Sequence, residues 1–263
     1  MLDGFELSSF THDRVTRPLY RRGDGPGVVV MHEIPGITPE VADFGRRVAG
    51  AGFTAVLPEM FGTAGKPLSN GYLVGQMVRA CISREFAVLA QQRSSPITDW
   101  LRALCRQVHR ECGGPGVGAV GMCLTGNFAL ALMVDETIMA PVLSQPSLPF
   151  GITRAHRAAL HLSPEDLAVV RERAAGGCKV LGLRFTHDPL CPPERFETLR
   201  RELGDGFESI EIDSARGNRH GLPRMAHSVL TTDLVDETGH PTRQALDRVL
   251  GLFRERLLAS PSA

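Results

Sequence analysis

The sequence predicts an α/β protein, in which helices cover both faces of a mostly parallel central sheet. From residue 28 onward, short apolar runs alternate with longer segments of helical periodicity, and this order is typical of parallel strands joined by helices. Residues 28–31 are continuously apolar, as expected of a strand that is buried on both faces. The sequence contains no evident repeat, low-complexity tail or linker, so we predict a single domain over residues 1–263.

The N-terminal part begins with a different pattern. Residues 1–24 are predicted to supply edge strands, because residues 5–22 alternate loosely between apolar and polar side chains before a glycine-rich turn. After the first buried strand, Pro39 opens a helix that Gly52 ends. Residues 53–57 then form the next strand.

The rest of the chain continues the alternation after a proline- and glycine-rich loop at residues 58–70. Ser163 is predicted to cap a helix, because a proline and two acidic residues follow it. The remaining predicted helices cover residues 73–92, 98–111, 124–134, 193–203 and 242–258. The remaining predicted strands cover residues 117–120, 138–143, 179–185 and 207–212.

The composition argues against several classes of partner. Basic and acidic residues number 29 each, so neither a general nucleic-acid surface nor an anionic membrane surface is expected. The six cysteines are irregularly spaced and include no CxxC pair, which favours neither a metal site nor a disulfide framework. We therefore expect no metal, no organic cofactor and reduced thiols.

The N-terminal segment does not have the pattern of a targeting sequence. MLDGFELSSF lacks the basic start and the apolar core of a signal peptide, and no apolar run approaches the length of a membrane span. We expect a cytoplasmic protein.

Polar side chains that can carry chemistry follow four of the predicted strands. Glu33 follows the first buried strand, Cys123 follows the strand at 117–120, and Asp188 and His220 follow the last two strands. In open α/β sheets, functional groups collect at the carboxyl ends of the strands. Cysteine, aspartate and histidine in this chain order match the order of the α/β-hydrolase triad, with cysteine in place of serine.

These residue types fit nucleophilic catalysis. A cysteine attacks as the thiolate, an imidazole accepts the thiol proton, and a carboxylate orients the imidazole. A helix that begins after Cys123 leaves the backbone N–H of Leu124 available to bind an oxyanion, and Ile34 is the candidate for the second donor. The alternatives are a buried core thiol for Cys123, a surface carboxylate for Glu33 and a helix cap for Asp188.

Four segments together resemble the dienelactone hydrolase family. They are HEIPG at residues 32–36, GMCLTG at 121–126, THDPLCP at 186–192 and RHG at 219–221, and the similarity extends from about residue 25 to residue 258. The resemblance implies an α/β-hydrolase fold, a Cys-His-Asp triad and the cleavage of lactones or related activated esters.

The same resemblance implies roles for individual residues. Cys123 corresponds to the nucleophile, His220 to the base and Asp188 to the acid that orients it. Glu33 matches a glutamate beside the cysteine that helps to control its ionisation. The oxyanion-hole positions are matched by Leu124 and Ile34.

Two arginines are candidates for substrate binding. Arg224 lies four residues after His220, the offset at which the family has an arginine that holds the carboxylate of the substrate. A guanidinium fork suits a carboxylate, so the resemblance implies an anionic substrate. Arg84 is the second candidate, and the alternative for both is a solvated surface arginine.

Two features depart from the family pattern. Thr125 stands two residues after the nucleophile, where the family has glycine, and a β-branched side chain is expected to hold the strand and the helix further apart. Residues 64–100 and 144–163 are longer or less regular than in a minimal member. We regard residues 64–100 as a candidate lid or helical excursion.

The sequence therefore predicts a hydrolase of a small, anionic ester or lactone that acts through an acyl-cysteine intermediate. Its expected partner is a small-molecule substrate, and it is expected to be a monomer or a homodimer. Two alternatives stay open. One is a ligand-binding protein of the same fold without efficient catalysis, and the other is an acyltransferase that uses an acceptor other than water.

Overall fold

An eight-stranded sheet forms the centre of the part of the chain that the structure describes. The computed structural model describes residues 2–69, 71–73, 75–76, 96–147 and 153–258. The strands are β1 (Glu6–His12), β2 (Val15–Arg22), β3 (Gly27–Met31), β4 (Thr54–Pro58), β5 (Val117–Met122), β6 (Ile138–Ser144), β7 (Val180–Phe185) and β8 (Phe207–Ile212). Their order across the sheet is β1-β2-β4-β3-β5-β6-β7-β8.

The sheet is parallel except on one side. There β1 pairs with β2, and β2 pairs with β4, in antiparallel register, while all other neighbouring strands are parallel. The predicted mostly parallel sheet is confirmed. Because the strands from β3 to β8 run in one direction, their carboxyl ends lie along the same edge, and the segments that follow them meet there.

The helices begin where the sequence provides start signals. They are α1 (Pro39–Gly50), α2 (Pro96–Cys112), α3 (Gly126–Leu132), α4 (Arg154–Ala158), α5 (Pro164–Ala175), α6 (Pro193–Leu203) and α7 (Pro241–Leu257), and residues 71–73 and 75–76 are also helical. The Ser163 hydroxyl accepts a hydrogen bond from the Asp166 N–H at 3.0 Å, so the predicted cap of α5 is confirmed. A proline in the first turn, where its missing N–H is not needed, opens both α1 and α5.

Alternate side chains of the buried strands supply two cores, one on each face of the sheet. In β3, Val29 and Met31 contribute to the core that includes Trp100 of α2, whereas Val28 and Val30 contribute to the core under α1 and α7. This alternation follows from the twofold period of a strand. The predicted coverage of both faces by helices is therefore confirmed.

Some sequence predictions fall outside the described residues. Residues 77–95 are not described; the helix predicted at residues 73–92 includes 77–92 of them, the candidate lid at residues 64–100 includes all of them, and Cys81 and Arg84 lie in that range. That residues 1–263 form one domain stays a prediction. Within the described ranges, no helix is both long and apolar enough to cross a bilayer.

Candidate active site

Cys123 occupies a sharp turn between β5 and α3. It begins a short 3-10 helix, Cys123–Thr125, which leads directly into α3. Its φ angle is +54°, in the left-handed region that costs a residue with a side chain about 1–3 kcal/mol. A strained strand-to-helix turn of this kind holds a nucleophile at the edge of an α/β sheet, and Cys123 is half-buried there.

Two glycines allow the close packing of this turn. A Cβ atom on Gly121 would lie 2.2 Å from the carbonyl oxygen of Thr125, and a Cβ atom on Gly126 would lie 2.5 Å from Cα of Pro146. Real Cβ atoms do not approach other atoms so closely, so both positions require glycine. The strand and the helix are therefore packed closely even though Thr125 stands between the two glycines.

The carboxylate of Asp188 is paired with His227, a residue that the sequence interpretation did not select. Asp188 follows β7 and is buried, and its Oδ2 atom lies 2.7 Å from Nδ1 of His227. Its Oδ1 atom accepts the N–H of Leu190 at 2.9 Å. Helix α6 begins only after Pro192, so the alternative of a helix cap for Asp188 is wrong.

Cys123 is the second side chain that acts on the His227 ring. Nε2 is buried and makes no hydrogen bond among the described residues, while the side chain of Cys123 lies close enough to the ring to affect its charge. Burial alone would lower the pKa of His227, but the adjacent Cys123 sulfur and the hydrogen bond to Asp188 together raise that pKa well above its usual value. The geometry thus brings together a thiol, an imidazole and a carboxylate.

His220 lies elsewhere, so its predicted pairing with Asp188 is wrong. Its Nε2 atom accepts a hydrogen bond from Nε of Arg219 at 2.8 Å, and its ring packs edge-to-face on His240 at a centroid distance of 5.2 Å. It lines a cavity between β8 and the start of α7. Neither Cys123 nor His227 is among the described residues that line this cavity.

The sequence does contain a signal that separates the two histidines. Residues 216–225 are rich in arginine, glycine, asparagine and proline, and most of them are exposed. His227 is instead flanked by small residues and followed by an apolar pair. A catalytic base must reach a partly buried nucleophile, and the local composition around His227 fits that requirement better than the short RHG motif does.

A network of backbone and side-chain hydrogen bonds fixes the segment that carries His227. The backbone N–H groups of His227 and Ser228 donate to Oδ2 of Asp233 at 2.8 and 2.9 Å. Ser228 also donates from its hydroxyl to Oε2 of Glu33 at 2.7 Å, and the Thr231 hydroxyl donates to Oε1 of Glu33. We call residues 227–233 the base loop.

Glu33 is therefore buried against the base loop. It is 4 % exposed, and besides the two hydroxyl groups of the base loop it accepts Nε2 of Gln145 at 3.1 Å. Burial raises the pKa of Glu33, while the hydrogen bond from Thr231 and the charge of His227 act in the opposite direction. The alternative of a surface carboxylate for Glu33 is wrong.

The two predicted oxyanion donors lie at corresponding positions after neighbouring strands. Met31 of β3 is in register with Gly121 of β5, and Ile34 and Leu124 each follow these partners by three residues. Leu124 lies in the first turn of the 3-10 helix, where backbone N–H groups have no acceptor within the helix. Their role in an oxyanion hole stays a prediction.

The argument that Arg224 binds an anionic substrate depended on its distance in sequence from His220. It has to be reconsidered because His227, and not His220, is paired with Asp188. Arg224 is exposed and lies three residues before His227 rather than four residues after it. The position four residues after His227 is Thr231, which binds Glu33. The offset that suggested Arg224 therefore no longer applies, and Arg84 lies outside the described residues.

Three other cysteines are less suited to nucleophilic attack than Cys123. Cys105, Cys178 and Cys191 are buried, and burial raises the pKa of each thiol, to about 12 for Cys191. A thiol with a raised pKa forms little thiolate near neutral pH. In the described part of the chain, no three His, Cys, Asp or Glu side chains are grouped so that they could hold a metal ion.

Comparison with known proteins gives a consistent result. The sequence model of the dienelactone hydrolase family matches residues 15–257. A protein of Saccharomyces cerevisiae whose name gives a provisional assignment as a carboxymethylenebutenolidase is 25% identical over 202 residues, which is 75% of this chain and 71% of that protein.

Solved structures show the same fold at lower sequence identity. A provisionally named dienelactone hydrolase of Klebsiella pneumoniae has a TM-score of 0.63 at 20% identity, with 95% of this chain and 98% of that chain covered. The dienelactone hydrolase of Anabaena variabilis has a TM-score of 0.58 at 15% identity, with 96% and 98% covered. The fold is thus that of the α/β-hydrolases.

Proposed function

The chain belongs to the dienelactone hydrolase family and is a hydrolase of carboxylic esters or lactones, and we propose that it acts through an acyl intermediate on Cys123. The observation that carries this proposal is the placement of His227 between Asp188 and Cys123. An imidazole oriented by a buried carboxylate and facing a thiol is the arrangement that nucleophilic cysteine catalysis requires.

In the first half of the reaction, Nε2 of His227 takes the thiol proton and the Cys123 sulfur attacks the carbonyl carbon of the substrate. The negative charge that develops on the carbonyl oxygen is stabilised by the backbone N–H groups of Leu124 and Ile34. When the tetrahedral intermediate collapses, the carbon–oxygen bond to the leaving group breaks. The leaving oxygen takes the proton from His227, and a thioester on Cys123 remains.

In the second half, water replaces the leaving group. His227 takes a proton from water, and the resulting hydroxide attacks the thioester carbonyl. The intermediate then expels the Cys123 sulfur, which takes the proton back from His227, and the carboxylic acid is released. Asp188 keeps Nδ1 of His227 protonated and stabilises the imidazolium in both halves.

Glu33 has a positioning role in this proposal. Its carboxylate binds Ser228 and Thr231 in the base loop, and no hydrogen bond between Glu33 and Cys123 is found among the described residues. Its effect on the cysteine is therefore exerted through His227, whose position depends on the base loop.

For the substrate we propose a small lactone or activated ester, and more specifically a lactone that carries a negative charge. The name of the yeast relative denotes a carboxylated butenolide, which is a lactone that carries a carboxylate. Since Arg224 no longer fits the family offset, Arg84 is the remaining candidate for the carboxylate. We expect Arg84→Ala to raise KM for a carboxylated lactone by about tenfold or more and to leave a neutral ester of similar size nearly unaffected. Equal losses for both substrates would remove the anionic form of the proposal.

The central test is the detection of the acyl intermediate. With p-nitrophenyl acetate, we expect a burst of nitrophenol of about one equivalent per enzyme, and mass spectrometry of acid-quenched protein should place the acetyl group on the peptide that contains Cys123. Cys123→Ala should abolish both signals, whereas Cys112→Ala, which removes a half-buried thiol at the end of α2, should leave them unchanged. A panel of lactones and esters identifies the best substrate of the wild type. If the Cys123→Ala variant still turns over that substrate, the mechanism is contradicted.

A further inference from the structure

We propose that the Thr125 hydroxyl positions the oxyanion hole by linking the segment that carries Ile34 to the turn that carries Leu124. The inference rests on the proposed function, because it concerns the donors of that reaction. Thr125 is fully buried and stands where the sequence resemblance led us to expect glycine.

The hydroxyl bridges the ends of two strands. The backbone ladder between β3 and β5 ends at the pair Met31 and Gly121. One residue further along β5, the N–H of Met122 donates to Oγ1 of Thr125 at 2.9 Å, and Oγ1 lies 2.8 Å from the carbonyl oxygen of Met31. The side chain thus extends the pairing of the two strands by one step beyond the last backbone pair.

The hydroxyl proton has three acceptors within reach. The carbonyl oxygens of Met31, Met122 and His32 lie 2.8, 2.9 and 3.3 Å from Oγ1. One proton serves one acceptor well at a time, and the Met31 oxygen is the nearest. Because Met31 and His32 both belong to the chain segment that leads to Ile34, the donation ties that segment to the elbow.

The position of this link suits the two oxyanion donors. Thr125 is the residue after Leu124, and Met31 precedes Ile34 by three residues. Two N–H groups from separate segments act on one oxyanion only if their separation is fixed to a fraction of an ångström, since a misplacement of about 1 Å costs about a hundredfold in rate. A glycine at position 125 keeps the close packing of the turn but offers no side chain for this link.

The test compares the variants Thr125→Ser and Thr125→Ala, which differ from each other by one hydroxyl group. Two reactions of Cys123 are measured in each variant. The first is acylation by p-nitrophenyl acetate, in which an oxyanion develops. The second is alkylation by iodoacetamide, which is a direct displacement at carbon and develops no oxyanion.

We expect Thr125→Ala to lower the acylation rate by about ten- to hundredfold and to change the alkylation rate by less than about threefold. Thr125→Ser should restore acylation to within about threefold of the wild type. Thr54→Ala and Thr54→Ser are the matched controls. Thr54 is also buried, and its hydroxyl donates to the carbonyl oxygen of Gly25 at 2.8 Å at the opposite edge of the sheet. The ratio of acylation to alkylation should not change in these controls.

Three results would overturn the inference in different ways. Equal acylation rates in the alanine and serine variants would show that the hydroxyl has no positioning role. Parallel losses of acylation and alkylation would indicate a general disturbance of the elbow. If the Cys123→Ala variant still cleaves the ester at the wild-type rate, the proposed function is refuted, and this inference fails with it. If Thr125→Ala lacks a cooperative unfolding transition, Thr125→Val keeps the shape without the hydroxyl and replaces it in the comparison with serine.

Discussion

His227 has both ring nitrogens committed to the reaction in our proposal. Nδ1 binds Asp188, which leaves Nε2 as the nitrogen that can take the proton of the neighbouring Cys123 thiol. We expect His227→Gln to lower kcat/KM by at least about a thousandfold, because loss of the base removes the route for the thiol proton. The initial rate of p-nitrophenyl acetate hydrolysis measures this loss.

The matched control is His220→Gln. His220 follows the same strand, but its ring contacts Arg219 and His240. We expect its activity to stay within about twofold of the wild type. The opposite ranking of the two variants would restore the sequence interpretation and contradict the assignment of the base.

Asp188 provides a second prediction about a single side chain. Asp188→Asn is nearly isosteric, but it removes the charge that stabilises the imidazolium and disturbs the proton on Nδ1 of His227. We expect a loss of about ten-thousandfold in kcat with the unfolding transition largely retained. Circular dichroism during thermal unfolding, run beside the rate measurement, separates this effect from misfolding. An unchanged rate would mean that the charge of Asp188 is not needed for catalysis and that its role is structural, as in its hydrogen bond with the Leu190 N–H.

The sequence interpretation selected Cys123 and Asp188, which the structure brings together with a histidine, but that histidine is His227 and not His220. Cys123 and Asp188 follow their strands within a few residues, so the end of the strand fixes where they lie. His220 and His227 come eight and fifteen residues after Ile212, the last residue of β8. Over such a length the loop path is set by contacts such as those of Asp233 and Glu33, which have no local sequence pattern.

The base loop behaves as a unit because its polar groups converge on two carboxylates. Thr231→Val removes the hydroxyl that donates to Glu33 and keeps the shape of the side chain. We expect the free energy of unfolding to fall by about 1–3 kcal/mol, since one oxygen of a buried carboxylate loses its donor. We also expect kcat to fall by about three- to tenfold, because His227 is held less firmly.

The control for this variant is Thr137→Val. The Thr137 hydroxyl also donates to a carboxylate, that of Asp135, at 2.7 Å, but it lies just before β6 at the opposite edge of the sheet. We expect it to change stability without changing kcat. If Thr231→Val changes stability alone, the base loop does not position His227.

Strands and helices could be predicted more fully than loops, and the reason is visible in particular residues. Ser163 and Pro164 start α5 through local hydrogen bonding and a fixed φ angle. The continuous apolar run in β3 signals burial on both faces. The predicted helix at residues 124–134 includes Leu124 and Thr125, which instead belong to the 3-10 turn, because the composition does not reveal that the Thr125 hydroxyl binds Met122 and Met31 across two strands.

At the level of the whole protein, His32 joins the loops that follow β3 and β4. Its Nε2 atom accepts the N–H of Met60 at 3.1 Å, and its Nδ1 atom lies 3.0 Å from the carbonyl oxygen of Glu33. The ring is fully buried and packs edge-to-face on Phe61. The two hydrogen bonds require a neutral ring with the proton on Nδ1, because a protonated Nε2 cannot accept from Met60.

This arrangement makes the stability of the protein dependent on pH. Burial lowers the pKa of His32 to about 4, whereas an unfolded histidine titrates near about 6.5. Between these values the unfolded chain binds more protons than the folded protein does. The contribution of His32 to the free energy of unfolding is therefore complete above about pH 6.5. It decreases as the pH falls toward about 4, by up to about 3 kcal/mol in total.

The variant His32→Gln isolates this contribution, because glutamine has an acceptor for Met60 but does not titrate. Urea unfolding of both proteins at pH 7.0, 5.5 and 4.5 gives the difference in their free energies of unfolding. The other titrating groups, including Glu33 and His227, contribute in both proteins and largely cancel in that difference. We expect the stability advantage of the wild type to shrink by about 2 kcal/mol between pH 7.0 and pH 4.5. A difference that stays constant over this range would mean that the ring is not held neutral, and the account of His32 as a buried link between the two loops would fail with it.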